Sequence, residues 1–279
     1  MIGAAILSVA ACSSDSASAG GRGTPERVVA ATESRDGFDL TPTRYQESAR
    51  AATGTVIGMV DSTALPALDD SSHECETGTK TPPRSRAALV WIAGLQSGKA
   101  LPIEKRADIA SEDCGLDPSI VATTVGATIN VYNDDAALHR LVFKGRPLDS
   151  TVTMPFFNTG QVVASERLTK RVGLVDVTCS RHPWTHGTIA VFDQPYYSVT
   201  DDRGRFSIDS VPAGSYTLMV WRPDLAKPIE HRIDVTAQHT TNVEFGPTET
   251  KSLAGQIDTA EFPKGANRST TIAAKSRAR

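Results

Sequence analysis

His139, Cys179 and His182 are the residues of this sequence whose types could do chemistry together. Two imidazole nitrogens and one thiolate form a soft three-donor set, the kind that takes copper in a trigonal site with a weak axial ligand. Cys179 and His182 share a tight Cys-Ser-Arg-His-Pro loop, and His139 follows Asn133 by six positions at the edge of a strand-like run. A hydrolytic pairing of Cys179 with His182 is the poorer chemistry. A histidine three residues from the thiol suits shared ligation better than base catalysis, and no orienting carboxylate is evident from the sequence.

Donors this far apart in the chain converge only on a scaffold that brings strand ends side by side. The sequence supplies short runs rich in Val, Ile and Thr at 54–60, 87–93, 119–123, 127–132, 141–143, 173–179 and 188–192. Turn chemistry such as Asn133-Asp134-Asp135 and Lys144-Gly145-Arg146-Pro147 separates them. The pattern predicts an all-β sandwich, with helices expected only over 103–111 and, as a short piece, 41–52. A second β unit follows from residue 196, with strands over 197–208, 211–221, 229–235 and 240–245.

Within that unit, Thr200-Asp201, Gly204, Phe206 and Ile208, followed by Val211-Pro212, Gly214 and Tyr216, resemble the carboxypeptidase regulatory-like domain, a small transthyretin-like sandwich. Phe206, Tyr216 and Trp221 are its expected core aromatics. The opening strands of that domain are missing directly upstream. Residues 54–61 and 87–93 look like them, so the intervening β unit is a candidate insertion. The segment from His139 through the Cys179-to-Pro183 loop to the strand at 188–192 resembles the amicyanin and plastocyanin family. It is closer still to plastocyanin-like bacterial envelope proteins of methylamine-utilisation type. This resemblance implies a cupredoxin-like Greek-key sandwich holding one copper ion through His139, Cys179 and His182, with zinc or no metal as alternatives. It also implies a protein that passes electrons or handles copper, without enzymatic activity of its own.

Two positions depart from that family. The axial methionine would fall at Thr185 or, in the longer loop form, at Gly187, leaving His186, Met154 and Met219 as the other candidates for the fourth position. Arg140 stands where the family tends to have an asparagine that ties the two ligand loops together. A carbohydrate-binding or structural module with a degenerate metal site is the competing expectation, since the second sandwich resembles folds found beside polysaccharide-cleaving enzymes.

The chain of 279 residues, 39% hydrophobic and with a net charge of -3, suits one or two globular domains and gives no basic patch for nucleic acid. Residues 2–11 are apolar and small, ending in Val9-Ala10-Ala11-Cys12 before a polar stretch. They resemble a bacterial lipoprotein signal, which implies lipidation at Cys12, a membrane anchor and an exported protein of the cell envelope; a plain secretory signal is the alternative. Cys75 and Cys114 lie in polar turns and are expected either to form a disulfide or to remain two thiols, which leaves Cys179 for a metal. The expected organisation is a signal over 1–12, a flexible tether over 13–52 and a cupredoxin-like domain over 53–194, its first strands shared with the next unit. A regulatory-like sandwich over 195–247 and a disordered tail over 248–279 follow. A redox or copper-delivery protein and a polysaccharide are the expected soluble partners.

Overall fold

The computed structural model describes residues 40, 42–48, 52–61, 87–103, 105–223, 225, 227–246 and 250–251. The expected signal with Cys12, most of the tether and tail, and Cys75 lie outside the described residues. In chain order the strands are β1 (Gln46–Glu47), β2 (Thr53–Val60), β3 (Leu89–Ala93), β4 (Ser97–Gly98), β5 (Arg106–Glu112), β6 (Gly115–Asp117) and β7 (Ile120–Thr124). Then come β8 (Thr128–Asn133), β9 (His139–Gly145), β10 (Val152–Phe156), β11 (Gln161–Ser165), β12 (Gly173–Cys179) and β13 (His186–Phe192). The last six are β14 (Tyr197–Val199), β15 (Arg205–Pro212), β16 (Gly214–Trp221), β17 (Ile229–Val235), β18 (Thr240–Phe245) and β19 (Thr250–Lys251). Among the described residues there is one short 3₁₀ turn, Arg167–Thr169, and no α-helix, so the all-β class expected from the sequence is the one present. None of them forms a helix long and apolar enough to cross a membrane.

The strands build two sandwiches. One faces a sheet ordered β10-β9-β12-β13-β7 against a sheet ordered β11-β8-β5-β6. Its core includes Ile109, Ile129, Val131, Leu141, Phe143, Phe156, Val175, Val177 and Ile189, all fully buried. The other pairs a sheet β14-β3-β16-β17 with a sheet β15-β2-β18-β19, around Val56, Val90, Ile92, Phe206, Leu218, Val220, Val243 and Phe245. A third apolar cluster joins β7 and β13 of the first to β3, β14 and β16 of the second. In it Phe192 stacks on Tyr197 with ring centres 4.6 Å apart, and Trp91 packs at 6.2 Å from Phe192.

The strand pairing redraws the expected boundary at residue 53. β2 lies between β15 and β18, and β3 lies between β14 and β16. β2 and β3 therefore belong to the second sandwich, and β5 to β13 are inserted between its second and third strands. Because β2 and β3 are central, residues 195–247 alone would keep only the β16–β17 hairpin among these pairings, and an isolated hairpin is marginal in water. We predict that this segment, expressed alone, gives a coil-like far-UV circular dichroism spectrum and collapsed amide proton dispersion. Cooperative unfolding of the isolated segment would contradict the assignment.

Three local expectations are corrected. Residues 106–112 form a strand instead of a helix, because β5 pairs with both β8 and β6 and buries Ala107 and Ile109 with a period of two. Residues 46–47, expected within a tether and a short helix, pair with β4. They are pinned by polar contacts: the Thr43 amide and hydroxyl donate to the Asp193 carboxylate at 2.7 and 2.9 Å, and the Tyr45 hydroxyl donates to the Lys99 carbonyl. In the tail, Thr250–Lys251 extends the second sandwich by pairing with β18.

Candidate metal centre

Strand periodicity aims two of the candidate donors inward. Along β9, His139, Leu141 and Phe143 are buried and alternate with outward residues; along β12, Val175, Val177 and Cys179 do the same. β9 and β12 are antiparallel neighbours in a register that sets Cys179 opposite Leu141, one inward step from His139. That register depends on a close approach at the other end of the pair. Gly145 has φ +156°, and a Cβ there would lie 2.0 Å from the Leu174 carbonyl oxygen.

His182 is delivered by the loop between β12 and β13. The Ser180 amide donates to the Arg140 carbonyl at 3.0 Å, tying the loop to β9, and the Thr185 amide closes a turn on the His182 carbonyl at 3.0 Å. Arg140 thus joins the two ligand-bearing segments through its main chain while its side chain is exposed.

The three donors come together at the inner end of the sandwich. Cys179 Sγ lies 3.7 Å from His139 Nδ1 and 3.6 Å from His182 Nδ1, and the two Nδ1 atoms are 3.1 Å apart. Donors bound to one ion at roughly 2.0–2.3 Å stand about 3.5 Å from one another in a trigonal arrangement, so these separations fit a shared ion. His139 is fully buried, and Cys179 and His182 are 4% and 8% exposed, which leaves the His182 edge nearest the surface. Trp184 lies beside it, ring centres 5.5 Å apart.

Thr185 and His186 take other places. Thr185 is fully buried with its hydroxyl donated to the Cys114 carbonyl, and His186 is exposed at the start of β13. Met154 packs in the core of the first sandwich, and Met219 packs against the cluster that joins the two.

Two residues of the site escaped sequence reasoning. Asp135, read as part of a turn, is buried with Oδ2 2.8 Å from His139 Nε2 and 3.0 Å from Ser111 Oγ, and its carboxylate accepts the Cys114 amide at 3.2 Å. The contact with His139 is a close charge contact more than an aligned hydrogen bond, since Nε2 satisfies no such bond. Its signal was the four-residue step from Asp135 to His139, legible only once that turn is known to fold back. Cys114 is the second: its sulfur lies within 4.8 Å of ring nitrogens of both histidines. It is disulfide-bonded, its partner outside the described residues, and so offers no thiolate.

The electrostatics favour a charged pair in the metal-free site. Burial works against a charged His139, but the Asp135 carboxylate and the Cys179 sulfur outweigh it and lift its pKa to about 9. Burial likewise opposes the Cys179 thiolate, yet His139 and the amides of Arg140, Arg181 and His182 bring its pKa down to about 7. For Asp135, the adjacent His139 and the bonds from Ser111 and Cys114 overcome the cost of burial and hold the carboxyl below its ordinary range. His182 is lowered, first by burial and then by the charges of His139 and Arg181, so it presents a neutral imidazole.

Residues 184–243 match the family described as polysaccharide lyase family 4, domain II. No curated protein matches the chain. Among solved structures, the chain is similar to a purple cupredoxin from Nitrosopumilus maritimus at 23% identity, over 30% of this chain and 98% of that one, with a TM-score of 0.26. A mutant of amicyanin in its Cu(I) state is similar at 18% identity, over 33% and 96%, with a TM-score of 0.28. The copper-containing nitrite reductase of Thermus scotoductus SA-01 is similar at 19% identity, over 37% of this chain and 25% of that one, with a TM-score of 0.29.

Proposed function

We propose that this chain is a non-enzymatic, envelope-tethered copper protein that passes single electrons or holds copper for a partner protein. The observation that carries the reading is the convergence of Cys179 Sγ and two imidazole Nδ1 atoms within 3.7 Å of one another in a buried pocket. Thiolate and imidazole donors select copper over hard cations. Bound there, copper would supply a one-electron couple between Cu(II) and Cu(I). The chain's own contribution is to hold three donors in place before an ion arrives, to keep water from Cys179, and to leave the His182 edge closest to solvent. The proposed exported location rests on the lipoprotein-like residues 1–12, with Cys12 as the anchor.

The test is to load the full chain with Cu(II) and record its visible spectrum. An intense thiolate-to-copper charge-transfer band, absent in Cys179→Ser, is the expected result. A featureless spectrum, with Cys179 freely alkylated in the presence of copper, sinks the reading. The match of residues 184–243 to a polysaccharide lyase domain favours a second reading, a carbohydrate-binding or supporting module. Retention of the full chain on cell-wall or pectic polysaccharide, unaffected by Cys179→Ser, would select it.

A further inference from the structure

We propose that the metal site has a second, four-donor state, reached when the Cys114 disulfide is reduced, in which Cys114 joins Cys179, His139 and His182 to enclose zinc(II) or copper(I). The inference rests on the metal-binding reading above and extends it to a residue outside the three-donor set.

Position carries the argument. Cys114 is fully buried, and its sulfur is already within 4.8 Å of ring nitrogens of both histidines. Its main chain is fastened to each half of the site independently of the disulfide. The Cys114 amide donates to the Asp135 carboxylate, which contacts His139 at 2.8 Å. The Cys114 carbonyl accepts the hydroxyl of Thr185, the residue that closes the turn on His182. These bonds hold the Cys114 main chain beside the site whether or not the disulfide is intact. The turn that carries it between β5 and β6 holds two consecutive non-glycine residues in the left-handed region, Asp113 at φ 51° and Cys114 at φ 59°. Such a conformation is strained for a non-glycine residue and persists where surrounding contacts over-determine it. Here those contacts are the bonds to Asp135 and Thr185.

The chemistry follows from the donor count. A disulfide sulfur is a poor ligand, so the oxidised chain offers one thiolate and two imidazoles. A dithiol reductant is oxidised to its own disulfide and delivers two electrons and two protons, converting Cys114 and its partner to thiols. On binding an ion, the Cys114 thiol gives its proton to solvent. The resulting two-cysteine, two-histidine set is the closed tetrahedral arrangement of structural zinc sites, and its softness equally suits copper(I). The oxidised form keeps an open three-donor site; the reduced form encloses its ion.

Cobalt(II) is the probe. The full chain, with its disulfide intact or reduced by dithiothreitol and then desalted under anaerobic conditions, is titrated with cobalt, and bound cobalt is displaced by zinc. We expect one ion per chain in both forms. In the reduced form the thiolate-to-cobalt absorbance per ion is about twofold higher and zinc affinity at least tenfold higher, as a second thiolate requires. Reduced Cys114→Ser should return both values to those of the oxidised chain. X-ray absorption on the zinc-loaded native chain, with two sulfurs after reduction against one before, gives the same answer without any substitution. Equal absorbance, affinity and sulfur count in the two redox forms, with one ion bound in each, overturn this inference and leave the three-donor reading standing. If neither form binds cobalt, zinc or copper, both readings are overturned.

Discussion

Copper affinity of the full chain falls about tenfold per pH unit from pH 9 to pH 7 and about a hundredfold per unit below pH 7, because metal and protons compete for the same donors. The two slopes come from two groups. His139 stays protonated up to about pH 9, so an ion entering at pH 8 displaces one proton from it. Cys179 is already a thiolate above about pH 7; below that a second proton is displaced. The pKa of His182 is lowered, first by burial, so its imidazole competes less for protons than a free histidine would. Proton release on copper addition to weakly buffered protein, close to one per ion at pH 8 and close to two at pH 6, measures the same quantities directly. Release that does not change between pH 6 and pH 9 would rule out the coupled Cys179 and His139 pair.

The metal-free chain should show the matching signature in stability. The folded pKa of His139 lies above its ordinary 6.5, so its contribution is fully present below pH 6.5 and is lost as pH rises through about 9. That of Cys179 lies below its ordinary 9.0, so its contribution is fully present above pH 9 and is lost as pH falls through about 7. Both are engaged in the interval between, and copper narrows the difference across it by replacing the proton on His139.

Much of this site was legible in the chain because its logic is local. Cys179 and His182 sit on one loop, and the period-two patterns that carry His139 and Cys179 are visible in the runs Val175, Val177, Cys179 and His139, Leu141, Phe143. What escaped is what depends on pairing between distant segments. Residues 103–111 read as a helix because the run is short and mixed; only β8 alongside makes a strand the better solution. The entry of β2 and β3 into the second sandwich needs partners more than a hundred residues away, and only the likeness of 54–61 and 87–93 to that unit's opening strands hinted at it. Residues 42–48 carry no apolar period at all, since Asp193 and the 96–99 segment hold them by hydrogen bonds. Asp135 and Cys114 were hidden for a related reason. Each lies in a polar turn, and a polar turn gives no sign of folding into a buried site.

Asp135→Asn is the substitution expected to show how far that hidden turn governs the metal. Its carboxylate, 2.8 Å from His139 Nε2, favours by its charge the proton on that nitrogen and so leaves the Nδ1 lone pair facing Cys179 and His182. Anionic support of this kind raises the basicity of a ligating imidazole, and its loss typically weakens metal binding by 10–100-fold, roughly 1.4–2.8 kcal/mol. Asparagine keeps the volume but removes the charge, and its amide can donate to Nε2 and invert the tautomer. The same substitution lets the His139 pKa fall from about 9, so protons compete less well for the altered site. The two effects oppose one another in a pH-dependent way. At pH 10, where the native histidine is already neutral, the full 10–100-fold loss of copper affinity should appear; toward pH 7 the loss shrinks, because the native site there pays a proton that the variant does not. Ser111→Ala, which removes only the hydroxyl bonded to Asp135 at 3.0 Å, should cost less at every pH and leave the break near pH 9 in place. An Asp135→Asn chain that binds copper at pH 10 as tightly as the native one would show that the carboxylate serves the turn alone, holding the Cys114 amide and Ser111 while His139 orients itself through packing.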